Sequence, residues 1–172
     1  MSKTSSRKFI RFIPLAVAFM LAFCSIPNVV RISAQNDNIT AMWLDINGEQ
    51  FWYESPSVTL TLNGNELTNL PMEPVILYGR TFVGARALFE AMGGLVDWRD
   101  ETWHIYIGLG YNLAVLQIGN TTLNFNGTEF EMDVAPKLIN GHTMVPARFA
   151  TEAFGFDVEW DEEMQTISIT TN

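Results

Sequence analysis

Cysteine, histidine and basic side chains are all scarce in this chain. Its 172 residues include one cysteine and two histidines, and ten lysines and arginines stand against nineteen acids, for a net charge of −9. A single cysteine, Cys24, excludes a fold held together by internal disulfides. Because 48% of the residues are apolar, the composition also excludes a disordered chain and predicts a packed core.

The few basic residues are unevenly placed. Residues 1–34 carry five of them and no acid, so residues 35–172 carry five basic residues against all nineteen acids, a net charge of −14. A surface of that charge repels the phosphates of nucleic acids and of anionic lipids. The sequence therefore excludes nucleic acid as a partner.

The N-terminal segment has the order of features that is typical of a secretory signal peptide. Basic residues at positions 3, 7, 8 and 11 precede an apolar run over 12–23, and small residues follow near Ala34. We expect residues 1–34 to be a signal peptide that is removed after Ala34, which places the protein in the cell envelope or outside the cell, with no membrane contact. If the segment is not cleaved, it would serve as an N-terminal membrane anchor.

The rest of the chain contains one unit twice. Residues 79–98 and 141–160 match at a constant offset of 62, with ten identical residues in twenty positions. Weaker matches extend the two copies to about 58–107 (copy one) and 121–170 (copy two). The sequence therefore predicts a duplicated domain over 58–172, preceded by an N-terminal hairpin extension over 35–57.

Each copy has the pattern of a hairpin, a short strand, a helix and a second hairpin. Alternating apolar and polar residues end at Asn63-Gly64 and Asn126-Gly127, the residue pair that favours tight hairpin turns. A turn at Gly79 or Gly141 precedes a helix of about nine residues, with Pro146 in its first turn in copy two and Gly93 or Gly155 at its end. The predicted fold class is α+β: two tandem repeats of antiparallel strands, each packed around one short helix.

The matched segments carry a long motif. Copy one reads Y-G-R-T-F-V-G-A-R-A-L-F-E-A-M-G-G-L-V-D-W over 78–98, and copy two reads N-G-H-T-M-V-P-A-R-F-A-T-E-A-F-G-F-D-V-E-W over 140–160. Both resemble the N-G-R-T-x-V-P-x-R-x-x-x-E-x-x-G-x-x-V-x-W pattern of the copper amine oxidase N-terminal-domain-like, or stalk, family. The resemblance covers roughly 58–170 and departs from the pattern at Gly84, where proline is usual, and at His142, where arginine is usual. It implies a secreted bacterial envelope module that carries neither the copper nor the quinone of the oxidases.

The residues themselves do not predict a copper site. Copper(II) prefers several nitrogen ligands, and this chain has only His104 and His142, which do not occupy equivalent positions in the two copies. Acidic residues cluster near the last hairpin of each copy without the spacing of a calcium loop. We therefore predict no catalytic residue, no metal ligand and no cofactor, and hence no enzyme.

Arg86 with Glu90, and Arg148 with Glu152, stand at the same place in the two copies. The spacing of four residues predicts an ion pair on each helix. Because an exposed pair of this kind contributes only about 0.5 kcal/mol, its presence in both copies favours partial burial and a structural role. The alternative is a clamp for a ligand.

The tryptophans divide into a repeated pair and an unrepeated group. Trp98 and Trp160 are equivalent, and core packing is the expected role for both. Aromatic residues without a counterpart could form an exposed platform for sugar rings, or a contact with another protein; these are Trp43, Trp52, Tyr53, Trp103 and Tyr106.

These observations favour a non-catalytic, secreted structural or interaction module of the cell envelope, with cell-wall polysaccharide or envelope proteins as its partners. The first alternative is an extracellular carbohydrate-binding or carbohydrate-active protein that uses the exposed aromatic residues. A metal-dependent enzyme is a third class, which stoichiometric metal in the purified protein would identify.

Overall fold

The computed structural model describes residues 29–34 and 37–171, and the side chains from residue 39 onward. The described part is mostly β-sheet, with two short helices. Along the chain the elements are β1 (Val29–Ala34), β2 (Asp37–Ile46), β3 (Glu49–Pro56), β4 (Thr59–Leu62), β5 (Asn65–Glu66), β6 (Val75–Leu77), β7 (Arg80–Gly84), α1 (Ala85–Ala91), β8 (Leu95–Arg99), β9 (His104–Leu109), β10 (Asn112–Gln117), β11 (Thr122–Phe125), β12 (Thr128–Glu131), β13 (Lys137–Ile139), β14 (His142–Pro146), α2 (Ala147–Glu152), β15 (Asp157–Asp161) and β16 (Thr166–Thr170).

The predicted hairpin turns are confirmed. Asn63 and Gly64 have φ values of 50° and 77°, and Asn126 and Gly127 have 52° and 86°. Two successive residues with positive φ match the right-handed twist of the flanking strands, which is why asparagine and glycine occur there. The turns at Gly79 and Gly141 are built in the same way.

The two helices lie where the sequence predicts them but are shorter, at seven and six residues. Ala85, Leu88 and Phe89 of α1 are buried, at the spacing of three and four residues that places them on one face of the helix. Gly93 follows the helix with φ 82°; its N–H donates to the carbonyl of Glu90, a bond that ends the helix in a left-handed residue. Gly155 takes the same conformation after α2, and Pro146 is the residue that precedes that helix.

The strands form three sheets. One sheet has the order β1-β2-β13-β14-β7-β6, with β3 on the other edge of β2. A second has the order β12-β11-β10-β9-β8 and is antiparallel throughout. The third, β15-β16-β4-β5, contains a parallel pair, β16 with β4.

Two strands that the sequence analysis did not predict, β7 and β14, occupy the centre of the fold. They pair antiparallel, with Val83 opposite Val145, Gly84 opposite Met144 and Phe82 opposite Pro146. Val83 and Val145 are equivalent at the offset of 62, so the pairing is symmetric about these two valines. The two copies therefore meet through β7 and β14, which are related by a local two-fold axis.

The expectation that each copy packs around its own helix is wrong, because the copies exchange strands. The first hairpin of copy one, β4–β5, joins the last hairpin of copy two through β4 and β16. One buried cluster contains both helices and strands from both copies, among them Leu60, Phe89, Leu123, Ala150 and Ile167. The chain thus has one shared main core instead of one core per copy.

The N-terminal hairpin β2–β3 closes a second, smaller core. Met42, Leu44 and Tyr53 pack there against Phe82 and Met144 of the central strands. The Tyr53 hydroxyl also accepts a hydrogen bond of 2.8 Å from the backbone N–H of Ile76. The hairpin is therefore tied to the duplicated part by buried contacts.

Most of the predicted signal segment, residues 1–28, lies outside the described residues. Its last six residues, Val29–Ala34, form β1, which pairs with β2 from Val29 opposite Met42 to Ala34 opposite Asp37. No helix in the described ranges is long and apolar enough to span a bilayer.

Gly94 is the glycine at which an added side chain would meet the closest backbone contact. A Cβ atom there would lie 2.8 Å from the carbonyl oxygen of Gly108 and 3.0 Å from that of Phe89. Because both are backbone atoms, Gly94→Ala is expected to lower the free energy of unfolding by about 1–3 kcal/mol in chemical denaturation. Gly108→Ala is the matched control: its Cβ would meet nothing within 4 Å, and the change should stay within about 0.5 kcal/mol. Equal effects of the two substitutions would contradict the packing described.

Candidate binding clefts

The arginine and the tryptophan that recur in the two copies line clefts on the surface. Arg86, Glu90 and Trp98 line a cleft beside α1, with a volume of about 700 Å³. Arg148 and Trp160 line a cleft beside α2, with a volume of about 330 Å³. We call these the α1 cleft and the α2 cleft.

Each cleft is built from both copies. One wall of the α1 cleft contains Gly141 from the turn between β13 and β14, and His142 and Thr143 from the start of β14. One wall of the α2 cleft contains Gly79 from the turn between β6 and β7, and Arg80 and Thr81 from the start of β7. These two walls are equivalent in sequence, and the central pairing of β7 with β14 brings each one to the helix of the other copy.

The ion pairs on the two helices are exposed, which corrects the expected partial burial. Arg86 Nη1 lies 3.4 Å from Glu90 Oε1, and the two side chains are 64% and 49% exposed. Arg148 Nε lies 3.7 Å from Glu152 Oε1, with exposures of 53% and 50%. Exposed pairs at this spacing stabilise a helix only slightly. Stability therefore does not explain why the pair occurs twice.

The expected core role of the repeated tryptophans holds only in part. Trp98 is half-buried against the main core, and its indole N–H donates a hydrogen bond to Asp100. Its ring also meets Trp103 edge-on, with centroids 6.2 Å apart. Trp160 is 36% exposed, so its ring forms part of the surface of the α2 cleft.

The five unrepeated aromatic residues do not form one platform. Trp43 and Trp52 are paired across β2 and β3 with ring centroids 5.6 Å apart, and both are about half exposed. Tyr53 points the other way, into the smaller core. Trp103 lies beside Trp98, and Tyr106 lies on β9 beside His104. Trp43 and Trp52 therefore remain an exposed aromatic pair on the hairpin, whereas Trp103, which is 46% exposed, lies apart from them beside Trp98.

The donor set of the described residues does not fit a copper centre. His104 lies on β9, and its Nδ1 atom is buried without a hydrogen-bond partner, whereas His142 lies on β14 in the α1 cleft. Across the part of the chain that the structure describes, no three histidine, cysteine, aspartate or glutamate residues come together as metal ligands. Copper(II) centres in proteins use several nitrogen ligands at one place.

Sequence reasoning missed two members of the clefts. Arg80 and His142 occupy equivalent positions but differ in residue type, so the repeated motif does not mark them. Arg80 is held in place by Asp133, which accepts a 2.6 Å hydrogen bond from Arg80 Nε. Their place between a glycine turn and a predicted helix gave no sign that they lie beside the helix of the other copy.

The comparisons with known proteins agree with the resemblance read from the motif. The family model described as "Copper amine oxidase N-terminal domain" matches residues 61–169, more than half of the chain. No curated protein and no solved structure matches the chain. The matched family is a domain that is non-catalytic by itself in the oxidases. Because this match over 61–169 covers more than half of the chain, the chain belongs to the copper amine oxidase N-terminal domain family.

Proposed function

We propose that this protein is a non-catalytic interaction module of the bacterial cell envelope, exported by its N-terminal segment. Membership of a domain family that is non-catalytic in the oxidases supports the absence of an enzymatic reaction. The order of basic, apolar and small residues over 1–34 supports export. Its partners are cell-wall polysaccharide or envelope proteins.

The observation that carries this proposal is the placement of the repeated side chains. Residues that hold a fold together are normally buried, whereas the repeated Arg86, Glu90 and Arg148 are about half exposed. They lie in clefts of a size that suits small-molecule or polymer segments, next to a tryptophan. Guanidinium groups and aromatic rings are the side chains that most often dominate recognition surfaces.

Retention on isolated cell wall tests the proposal. The full chain with a C-terminal tag is produced in a bacterial host, the culture is fractionated, and the exported protein is sedimented with purified wall. We expect the protein in the envelope or medium, and we expect Arg86→Gln with Arg148→Gln to weaken retention by about tenfold or more.

Arg99→Gln is the matched control, because Arg99 is an exposed arginine paired with Asp97 and lies outside both clefts. It should retain wild-type binding. Protein that stays in the cytoplasm would contradict the export, and an equal loss in Arg99→Gln would show that only overall charge matters.

The exposed pair Trp43 and Trp52 favours a second candidate, carbohydrate binding through β2 and β3. The indole N–H of Trp52 donates a 3.2 Å hydrogen bond to Glu54, which holds the ring on the outer face of the hairpin. Under this alternative, Trp43→Ala with Trp52→Ala abolishes polysaccharide retention and leaves the unfolding transition in place. Tyr111→Ala, at a fully exposed tyrosine in another turn, is the control.

A further inference from the structure

The two clefts share a scaffold but differ in size. Many residues that line the α2 cleft have an equivalent, at the offset of 62, in the lining of the α1 cleft; Val158 with Val96 and Ile167 with Ile105 are examples. The α1 cleft nevertheless has a volume of about 700 Å³, and the α2 cleft one of about 330 Å³. Because the helices and strands are repeated, the side chains and loops that differ between the copies have to account for this difference.

Larger residues narrow the α2 cleft. The residue after the repeated arginine is Phe149 in the α2 cleft and Ala87 in the α1 cleft, and each lines its cleft. The residue before the helix is also larger on the α2 side, with Pro146 in place of Gly84. The smaller residues at these two positions leave room in the α1 cleft for a ligand group about as large as the missing ring.

An apolar loop completes the α1 cleft. Leu67, Leu70 and Met72 of the loop between β5 and β6 line it, whereas no residue of the corresponding loop, 132–136, lines the α2 cleft. More than half of the residues that line the α1 cleft are therefore apolar. Such a lining favours an apolar ligand group, because that group gains free energy when it leaves water. Sugar hydroxyl groups that face these walls would lose hydrogen bonds to water and gain none in return.

Charge does not distinguish the two clefts from each other, but it does distinguish their possible partners. The α1 cleft contains the ion pair of Arg86 with Glu90, and also Glu66, an exposed residue that has no ion pair among the described residues. Residues 35–172 carry a net charge of −14. A basic segment of a partner is therefore attracted to this surface, and an acidic segment is repelled.

We propose that the α1 cleft binds a bulky apolar side chain carried by a basic segment of another envelope protein, and that the α2 cleft does not. This inference rests on the proposed function, because it names the class of partner that the module recognises. Ala87 and the aliphatic residues of the loop between β5 and β6 contact the apolar side chain, and Glu66 attracts the basic residues beside it.

Titrations at low salt, followed by the backbone amide NMR signals of the full chain, test the inference. The probes are the capped peptides Gly-Lys-Phe-Lys-Gly, Gly-Lys-Ala-Lys-Gly, which lacks the apolar side chain, and Gly-Glu-Phe-Glu-Gly, which reverses the charge, together with the neutral sugar cellotriose. We expect the first peptide to shift the signals of Ala87 and Thr143, but not those of their equivalents Phe149 and Thr81. It should also bind about tenfold more tightly than each of the other three probes.

Copy two supplies the informative substitution for copy one. Ala87→Phe places in the α1 cleft the residue that the α2 cleft has at the same helix position, so we expect the fold to tolerate it and binding of the phenylalanine peptide to weaken by about tenfold or more. Thr128→Phe is the matched control, because it adds a ring at an exposed position outside both clefts and should leave binding unchanged. Glu66→Gln removes a charge without narrowing the cleft and should weaken binding by about threefold. An unfolding curve for each variant separates loss of binding from loss of fold.

Three outcomes would overturn the inference: unchanged α1 cleft signals with the phenylalanine peptide, equally tight binding of any of the other three probes, or wild-type binding by folded Ala87→Phe protein. Its failure is distinguishable from failure of the proposed function. A chain that is exported and retained on the cell wall but does not bind the peptide in the α1 cleft would contradict only this inference. Peptide binding by a chain that stays in the cytoplasm would contradict only the proposed function.

Discussion

Cleaving the chain between Gly110 and Tyr111 is expected to leave two pieces that cannot fold separately but fold together. The site is a tight turn between β9 and β10, and Tyr111 is fully exposed, so an inserted protease site fits there without disturbing the core. The first piece lacks β16, the partner of β4, and β14, the partner of β7. The second piece lacks the strands that bury β14 and β16.

To test this prediction, the two pieces are separated in denaturant and diluted, and the unfolding transition of each is recorded by far-UV circular dichroism. We expect no cooperative unfolding transition from either piece alone, and a single transition from an equimolar mixture. A sharp transition from one piece alone would mean that a copy has its own core, as the sequence analysis predicted. The reason for our expectation is that each copy buries its apolar faces largely against the other.

Phe89→Ala is expected to lower the free energy of unfolding by about 3–5 kcal/mol, a large part of the stability of a domain of this size. Phe89 is fully buried on α1, and its ring centroid lies 5.4 Å from that of Phe154, which follows α2. Phe154 in turn lies 5.0 Å from Phe125 on β11. Removing the ring leaves a cavity where the two copies meet.

Chemical denaturation of the two variants Phe89→Ala and Phe130→Ala measures this effect. Phe130 is the matched control, because it is 49% exposed on the edge strand β12, and its loss should cost less than about 1 kcal/mol. Similar costs for the two phenylalanines would contradict the shared core.

Local chemistry explains which features could be predicted from the sequence. The turns at Asn63-Gly64 and Asn126-Gly127 depend only on the left-handed conformation that these residues adopt readily. The buried face of α1 follows from apolar spacing within a single helix. The family resemblance likewise depends on the order of residues alone, and the family match over 61–169 confirms it.

The candidate site was harder to predict, because it depends on which elements meet. Arg86, Glu90 and Trp98 were recognised as repeated, but helix spacing does not show whether an ion pair is buried. Strands β7 and β14 were missed because each has only five residues, between a glycine turn and a helix. Without those strands, neither Arg80 nor His142 could be placed in a cleft.

The sequence by itself determined the repeated motif, the turns, the helices and the family of this protein. These depend on conformational preferences and spacing within a few neighbouring residues. Only the tertiary structure decided that the copies exchange strands and that their arginines and tryptophans lie in surface clefts. Strand pairing joins residues that lie up to about a hundred positions apart, such as Leu60 with Ile167, and the choice among such partners depends on the burial of the whole core.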